Sequence, residues 1–87
     1  MDNLLALTVM VEGEILKTYK DAGESDVKYS IENKSNSLTV EVLYPKHINQ
    51  LFSGVWALSS KLKFEKNHIE DFNISISSSK LVVSLFK

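Results

Sequence analysis

Residues 3–22, NLLALTVMVEGEILKTYKDA, decide which fold this chain adopts. Wound as a helix, Leu4, Leu5, Leu7, Val9, Val11, Ile15, Leu16 and Tyr19 fall in one broad arc, with Gly13, Glu14, Lys17, Lys20 and Asp21 opposite. Asp2 or Asn3 can cap the start and Gly23 can close the end. Read instead as a hairpin, Glu12-Gly13 becomes a turn joining 4–11 to 14–20, and Thr8, Val9 and Val11 favour that state. The helix is the preferred reading, because Gly13 on an exposed side costs it only about 1 kcal/mol.

The next stretches are plainer. In residues 47–64, HINQLFSGVWALSSKLKF, the residues Ile48, Leu51, Phe52, Val55, Leu58 and Leu62 recur at the spacing of a helix face. Pro45 stands just ahead, and Lys61, Lys63 and Lys66 suit the negative pole of the helix dipole. Two hairpins flank this helix. In 27–44, Val27, Tyr29 and Ile31 alternate with polar residues. Asn33-Lys34-Ser35-Asn36-Ser37 then turns the chain into Leu38, Val40, Val42 and Tyr44. In 72–86, Phe72, Ile74 and Ile76 alternate with Asn73, Ser75 and Ser77, and Leu81–Phe86 is apolar enough for a central strand.

The expected architecture is therefore α+β: an antiparallel sheet of four to six strands with one or two helices on one face. The order is αββαββ if 3–22 is helical and ββββαββ if it is a hairpin. Under the first order Asp26–Ile31 lines up with Asp71–Ile76 as a weak internal duplication, much of which alternation alone produces. With 87 residues, 1–87 reads as a single small domain, which buries only about 60–65% of the surface its unfolded chain exposes.

Composition narrows function more by exclusion than by assignment. The chain has no arginine, no cysteine and two histidines, His47 and His68. Bidentate phosphate clamps, thiolate chemistry and imidazole proton shuttles are thus absent or scarce. A formal net charge of −1, with lysines and acids interspersed, creates no field to draw in DNA or an anionic membrane. Lysine in place of arginine, with frequent Ser and Asn, points to an AT-rich genome of a bacterium, phage or plasmid. The apolar run 4–11 is short and lacks a preceding basic region and a cleavage site, so a cytoplasmic location is expected. No stretch approaches the roughly 20 apolar residues of a membrane span.

No motif in the chain carries chemistry. Gly13, Gly23 and Gly54 are too scattered for a phosphate loop, and no Gly-Lys-Ser/Thr occurs. None of the serines lies in a Gly-x-Ser-x-Gly elbow; Ser75, Ser77 and Ser84 read as wet-side strand residues. His68-Ile69-Glu70-Asp71 holds ligand-type side chains, which His47 or Asp26 could complete, but its spacing matches no zinc pattern and reads better as a solvated loop. No catalytic residue, metal or cofactor, no small-molecule substrate and no membrane are expected. Lys61, Lys63 and Lys66 beside Phe64 and Trp56 combine charge with rings as single-strand binders do, yet Glu65, Glu70 and Asp71 neutralise much of that patch.

One feature stands above this background. Ile48, Leu51, Val55, Leu58 and Leu62 suffice to dock the second helix, yet Ser53, Trp56, Ala57, Ser60 and Phe64 form a further stripe of small residues and large rings. A helix apolar nearly all round is normally covered, and tryptophan is enriched at binding hot spots. The cover is the N-terminal helix of the same chain, a second copy, or a foreign partner. The expected function is accordingly a small non-enzymatic protein-interaction module, such as an inhibitor, immunity protein or antitoxin. A homo-oligomeric assembly subunit, for example phage-encoded, or a homodimer is the first alternative, and a weak nucleic-acid-associated protein the second.

Overall fold

Residues 3–22 choose the helix. The computed structural model describes residues 3–87, with side chains from Leu5 onward, and α1 spans Asn3–Asp21. The caps assigned to Asp2 and Asn3, and the side chain of Leu4, lie outside the described residues. Gly23 closes the helix as expected. At φ 79° it lets its own N–H reach Lys20 O at 3.0 Å and Glu24 N–H reach Tyr19 O at 2.9 Å, the paired bonds of a Schellman end. Gly13 faces open space, so its cost to α1 is the intrinsic one.

The order is αββαββ: β1 at Lys28–Asn33, β2 at Ser37–Leu43, α2 at Ile48–Phe64, β3 at Asp71–Ile76 and β4 at Lys80–Phe86. The four strands form one antiparallel sheet in the order β1-β2-β4-β3, with β1 and β3 at its edges. Both hairpins turn tightly, with Lys34 N–H on Ser37 O at 2.8 Å and Ser77 N–H on Lys80 O at 2.9 Å.

Alternation sorts the two faces of the sheet. Leu38, Val40 and Val42 of β2 and Leu81, Val83 and Leu85 of β4 are buried under the helices, joined by Leu7, Val11 and Ile15 from α1 and Leu51, Val55 and Leu62 from α2. The other face carries Thr39, Glu41, Ser84, Asn73 and Ser75, with a Lys80–Glu41 ion pair at 3.0 Å. Each αββ half places one helix and one hairpin, and the hairpins meet at the β2–β4 pair.

Three expectations need correction. The strand equivalent to Asp71–Ile76 is Lys28–Asn33, so the duplication aligns Lys28 with Asp71 and not Asp26. Strand β2 ends at Leu43; Tyr44 turns out at φ 47° and is exposed, because the chain must reverse there to enter α2. The apolar arc of α1 is also wider than the core accepts. Leu7, Val11, Ile15 and Tyr19 go in, while Leu5, Val9 and Leu16 of the same arc stay exposed.

Candidate interaction surface on the second helix

Helix α2 begins at Ile48, with His47 as its N-cap in the left-handed conformation (φ 54°, ψ 48°) and no side-chain cap bond. The entry is held from α1: the Tyr19 hydroxyl accepts the Lys46 N–H at 2.9 Å, and the Tyr19 ring meets the His47 imidazole edge-on. His47 Nε2 lies 3.3 Å from Glu24 Oε1, so this histidine serves the helix junction and does not join His68. At the far end Asn67 takes φ 54° and the His68 N–H returns to Leu62 O at 2.8 Å.

The faces of α2 are set by what packs on each. Leu51, Val55, Ser59 and Leu62 are buried against the sheet. Helix α1 approaches on the side of Gly54, where an added Cβ would stand 2.6 Å from Glu14 Oε2. Lys63, on the side facing β3, pairs with Asp71 at 3.2 Å. Trp56 belongs to neither helix–helix nor core packing and is 51% exposed.

The structure thus places the five predicted contact residues as follows. Ser53, Trp56, Ala57 and Phe64 are exposed and Ser60 is half-buried, all away from the sheet-facing stripe. Phe64, the last residue of α2, is 71% exposed, with the Lys63 ammonium 5.0 Å from its ring centroid. Among the described residues α1 does not cover Trp56, since it docks at Gly54, around the helix from Trp56.

Two members of this surface escaped the sequence reading. The periodicity sets Ile48 and Phe52 on the same helix face as Leu51 and Val55, with Ile48 in the docking stripe, yet both remain more than a third exposed. With Trp56 they stand four residues apart on successive turns, forming one apolar ridge on the β3 side. The signal was present in the spacing 48-52-56, which runs off the 51-55-62 stripe.

Of the three lysines expected to group with the rings, Lys63 keeps Phe64 as a neighbour while it pairs with Asp71. Lys61 and Lys66 instead line a cleft of about 370 Å³ between the helices with Met10 and Leu58. In the His68–Asp71 loop, Ile69 is buried and its neighbours His68 and Glu70 are exposed. The Asp71 carboxylate accepts the Phe72 N–H at 2.8 Å as well as Lys63, and these bonds hold its pKa below the usual carboxylate value. Among the described residues no three His, Asp or Glu side chains converge as metal ligands. No helix among them is long and apolar enough to cross a membrane.

Comparison with protein-family models, with curated proteins and with solved structures finds no match.

Proposed function

We propose that the protein is a small non-enzymatic interaction module that binds another protein through the outer side of α2. The observation that supports this most is the uncovered Trp56, continued by Ile48 and Phe52 along the helix and accompanied by Phe64. A fully wet indole exposes on the order of 200 Å², and covering the half that Trp56 still exposes is worth about 2–3 kcal/mol at about 25 cal/mol per Å². Ser53 and Ala57 beside it are small enough to let a partner backbone approach. Ring anchors among small residues are the composition of a binding hot spot. A cytoplasmic inhibitor, immunity protein or antitoxin is the kind of molecule this describes.

Nucleic acid is the weaker alternative, because Lys63 is engaged by Asp71 while Lys61 and Lys66 sit on the other side of α2.

Two measurements test the reading. Trp56 emission should be that of a half-solvated indole in the free protein and shift to the blue on titration with a protein recovered by the immobilised chain. Trp56→Ala should keep its circular dichroism and lose that protein. A folded Trp56→Ala variant that retains every bound protein with unchanged affinity refutes the assignment.

A further inference from the structure

We infer that two copies of this chain join along β1, antiparallel about a two-fold axis at Ser30, to make one continuous eight-stranded sheet. The surface is separate from the ridge on α2 and stands independently of the function proposed for it.

The first observation is the hydrogen-bonding phase of the edge. The Lys34–Ser37 pair is bonded across the hairpin, so by alternation Glu32, Ser30 and Lys28 also bond inward to β2. The N–H and C=O groups of Tyr29 and Ile31 therefore point out of the sheet at its edge. Pairing Tyr29 of one copy with Ile31 of the other satisfies both, and it places Ser30 opposite Ser30.

The second observation is charge. Asp26, Lys28, Ser30, Glu32 and Lys34 are all exposed, and their signs read minus, plus, neutral, minus, plus; Glu32 and Lys34 lie 3.6 Å apart as an exposed pair within one chain, which the cross-copy pairs exchange for their own. Around Ser30 this order is self-complementary: Lys28 faces Glu32 of the second copy, and Asp26 faces Lys34. These are non-hydrogen-bonded positions, where cross-strand side chains come closest. Sliding the register by one repeat either way sets Lys28 against Lys34 or Asp26 against Glu32. Like charges opposite each other destabilise a pair, so the edge carries its own register. The opposite edge, β3, carries Asp71 with Glu70 just before it and no lysine between 69 and 77 to answer them, so it offers no such selection.

The third observation is the helix above. Thr8 Oγ1 lies 3.3 Å from Asn33 Oδ1, and Glu12 accepts the Tyr29 hydroxyl, so α1 runs antiparallel over β1 with its midpoint near Ser30. Its uncovered residues Leu5 (62% exposed), Val9 (60%) and Leu16 (43%) spread about that same point. The acid on this flank, Glu12, is held by Tyr29. Two strands at about 4.8 Å spacing separate neighbouring helices by about 10 Å, a normal helix packing distance. Strand pairing about Ser30 thus brings the two α1 flanks together, Leu5 toward Leu16 of the other copy. The α2 ridges remain free at the two ends of the sheet.

Charge exchange tests this directly. Sedimentation of the full chain over a concentration series should show a monomer–dimer equilibrium. Lys28→Glu and Glu32→Lys, whose partners on β2 are the uncharged Leu43 and Thr39, should each stay folded by circular dichroism. Each should weaken self-association at least about tenfold. Mixing the two single variants, or combining both changes in one chain, should restore the dimer. A wild-type chain that remains monomeric near 1 mM, single variants that associate like the parent, or a mixture that fails to pair would each overturn the inference. Trp56→Ala should leave the dimer intact; a dimer lost there and indifferent to Lys28 and Glu32 would move the contact to α2, overturning the β1 pairing while leaving the interaction reading in place.

Discussion

The Tyr29 hydroxyl on β1 donates a hydrogen bond to the Glu12 carboxylate on α1, tying the first helix to an edge strand that lacks a neighbour on its outer side. The bond explains why an acid is tolerated beside an otherwise apolar flank. It also makes Tyr29 harder to ionise: the bond to Glu12 first, then burial and repulsion from the same carboxylate, hold its pKa above 10.0.

A raised tyrosine pKa gives a defined alkaline limb of stability. The contribution is fully present below the unfolded value and is lost as pH rises through the higher folded value. Thermal melts between about pH 8 and about pH 11 should fall more steeply for the parent than for Tyr29→Phe. Parallel curves would show that the bond does not persist in solution.

Asp71 works in the opposite direction. Its pKa is lowered first by the Phe72 N–H and then by Lys63, so its contribution is present above the usual carboxylate value and lost as pH falls through the lower one. Asp71→Asn should flatten the acid limb of the stability curve below about pH 4. Lys63→Ala should flatten it less, because it leaves the larger cause in place.

The core predicts a sharp contrast along α2. Leu51 is fully buried and Val55 nearly so, whereas Lys61 is exposed. Leu51→Ala should cost about 2–5 kcal/mol and Val55→Ala somewhat less. Lys61→Ala should stay within about 0.5 kcal/mol. Denaturant midpoints rank the three, and Lys61 outranking Leu51 would mean that the faces of α2 are misassigned.

Ser59 offers a stabilising change. It is 1% exposed, and its hydroxyl finds no hydrogen-bond partner among the described residues. An unpaired buried hydroxyl costs about 1–3 kcal/mol, and alanine is also the better helix former. Ser59→Ala should raise the denaturant midpoint, by an amount worth about 1 kcal/mol or more. A lower midpoint would reveal a partner for the hydroxyl in solution.

Much of the fold is legible in the sequence. Alternation in 28–43 and 71–86 marks both hairpins, the largely apolar Leu81–Phe86 marks a central strand, and Gly23 marks the end of α1. The candidate surface was legible in part. Trp56 and Phe64 stood out as rings on a second stripe, but Ile48 and Phe52 were hidden among core residues. A helical wheel assigns an arc to the interior without saying how much of that arc the neighbour covers.

By itself, then, the sequence determined the two hairpins and the helix between them, because apolar period separates helix from strand wherever an element buries one face; over residues 3–22 it left helix and hairpin both open. Only the tertiary structure decided that 3–22 is a helix and how much of each helix's apolar arc the core uses. The part used depends on the rotation of the helix about its axis, set for α1 by distant partners: Glu12 on Tyr29 and Tyr19 on Lys46. The same division holds for β1. The alternating signs from Asp26 to Lys34 are written in the chain, but they become a register for pairing only because the strand order β1-β2-β4-β3 leaves that strand at an edge. Backbone groups can recruit another strand only where the sheet ends.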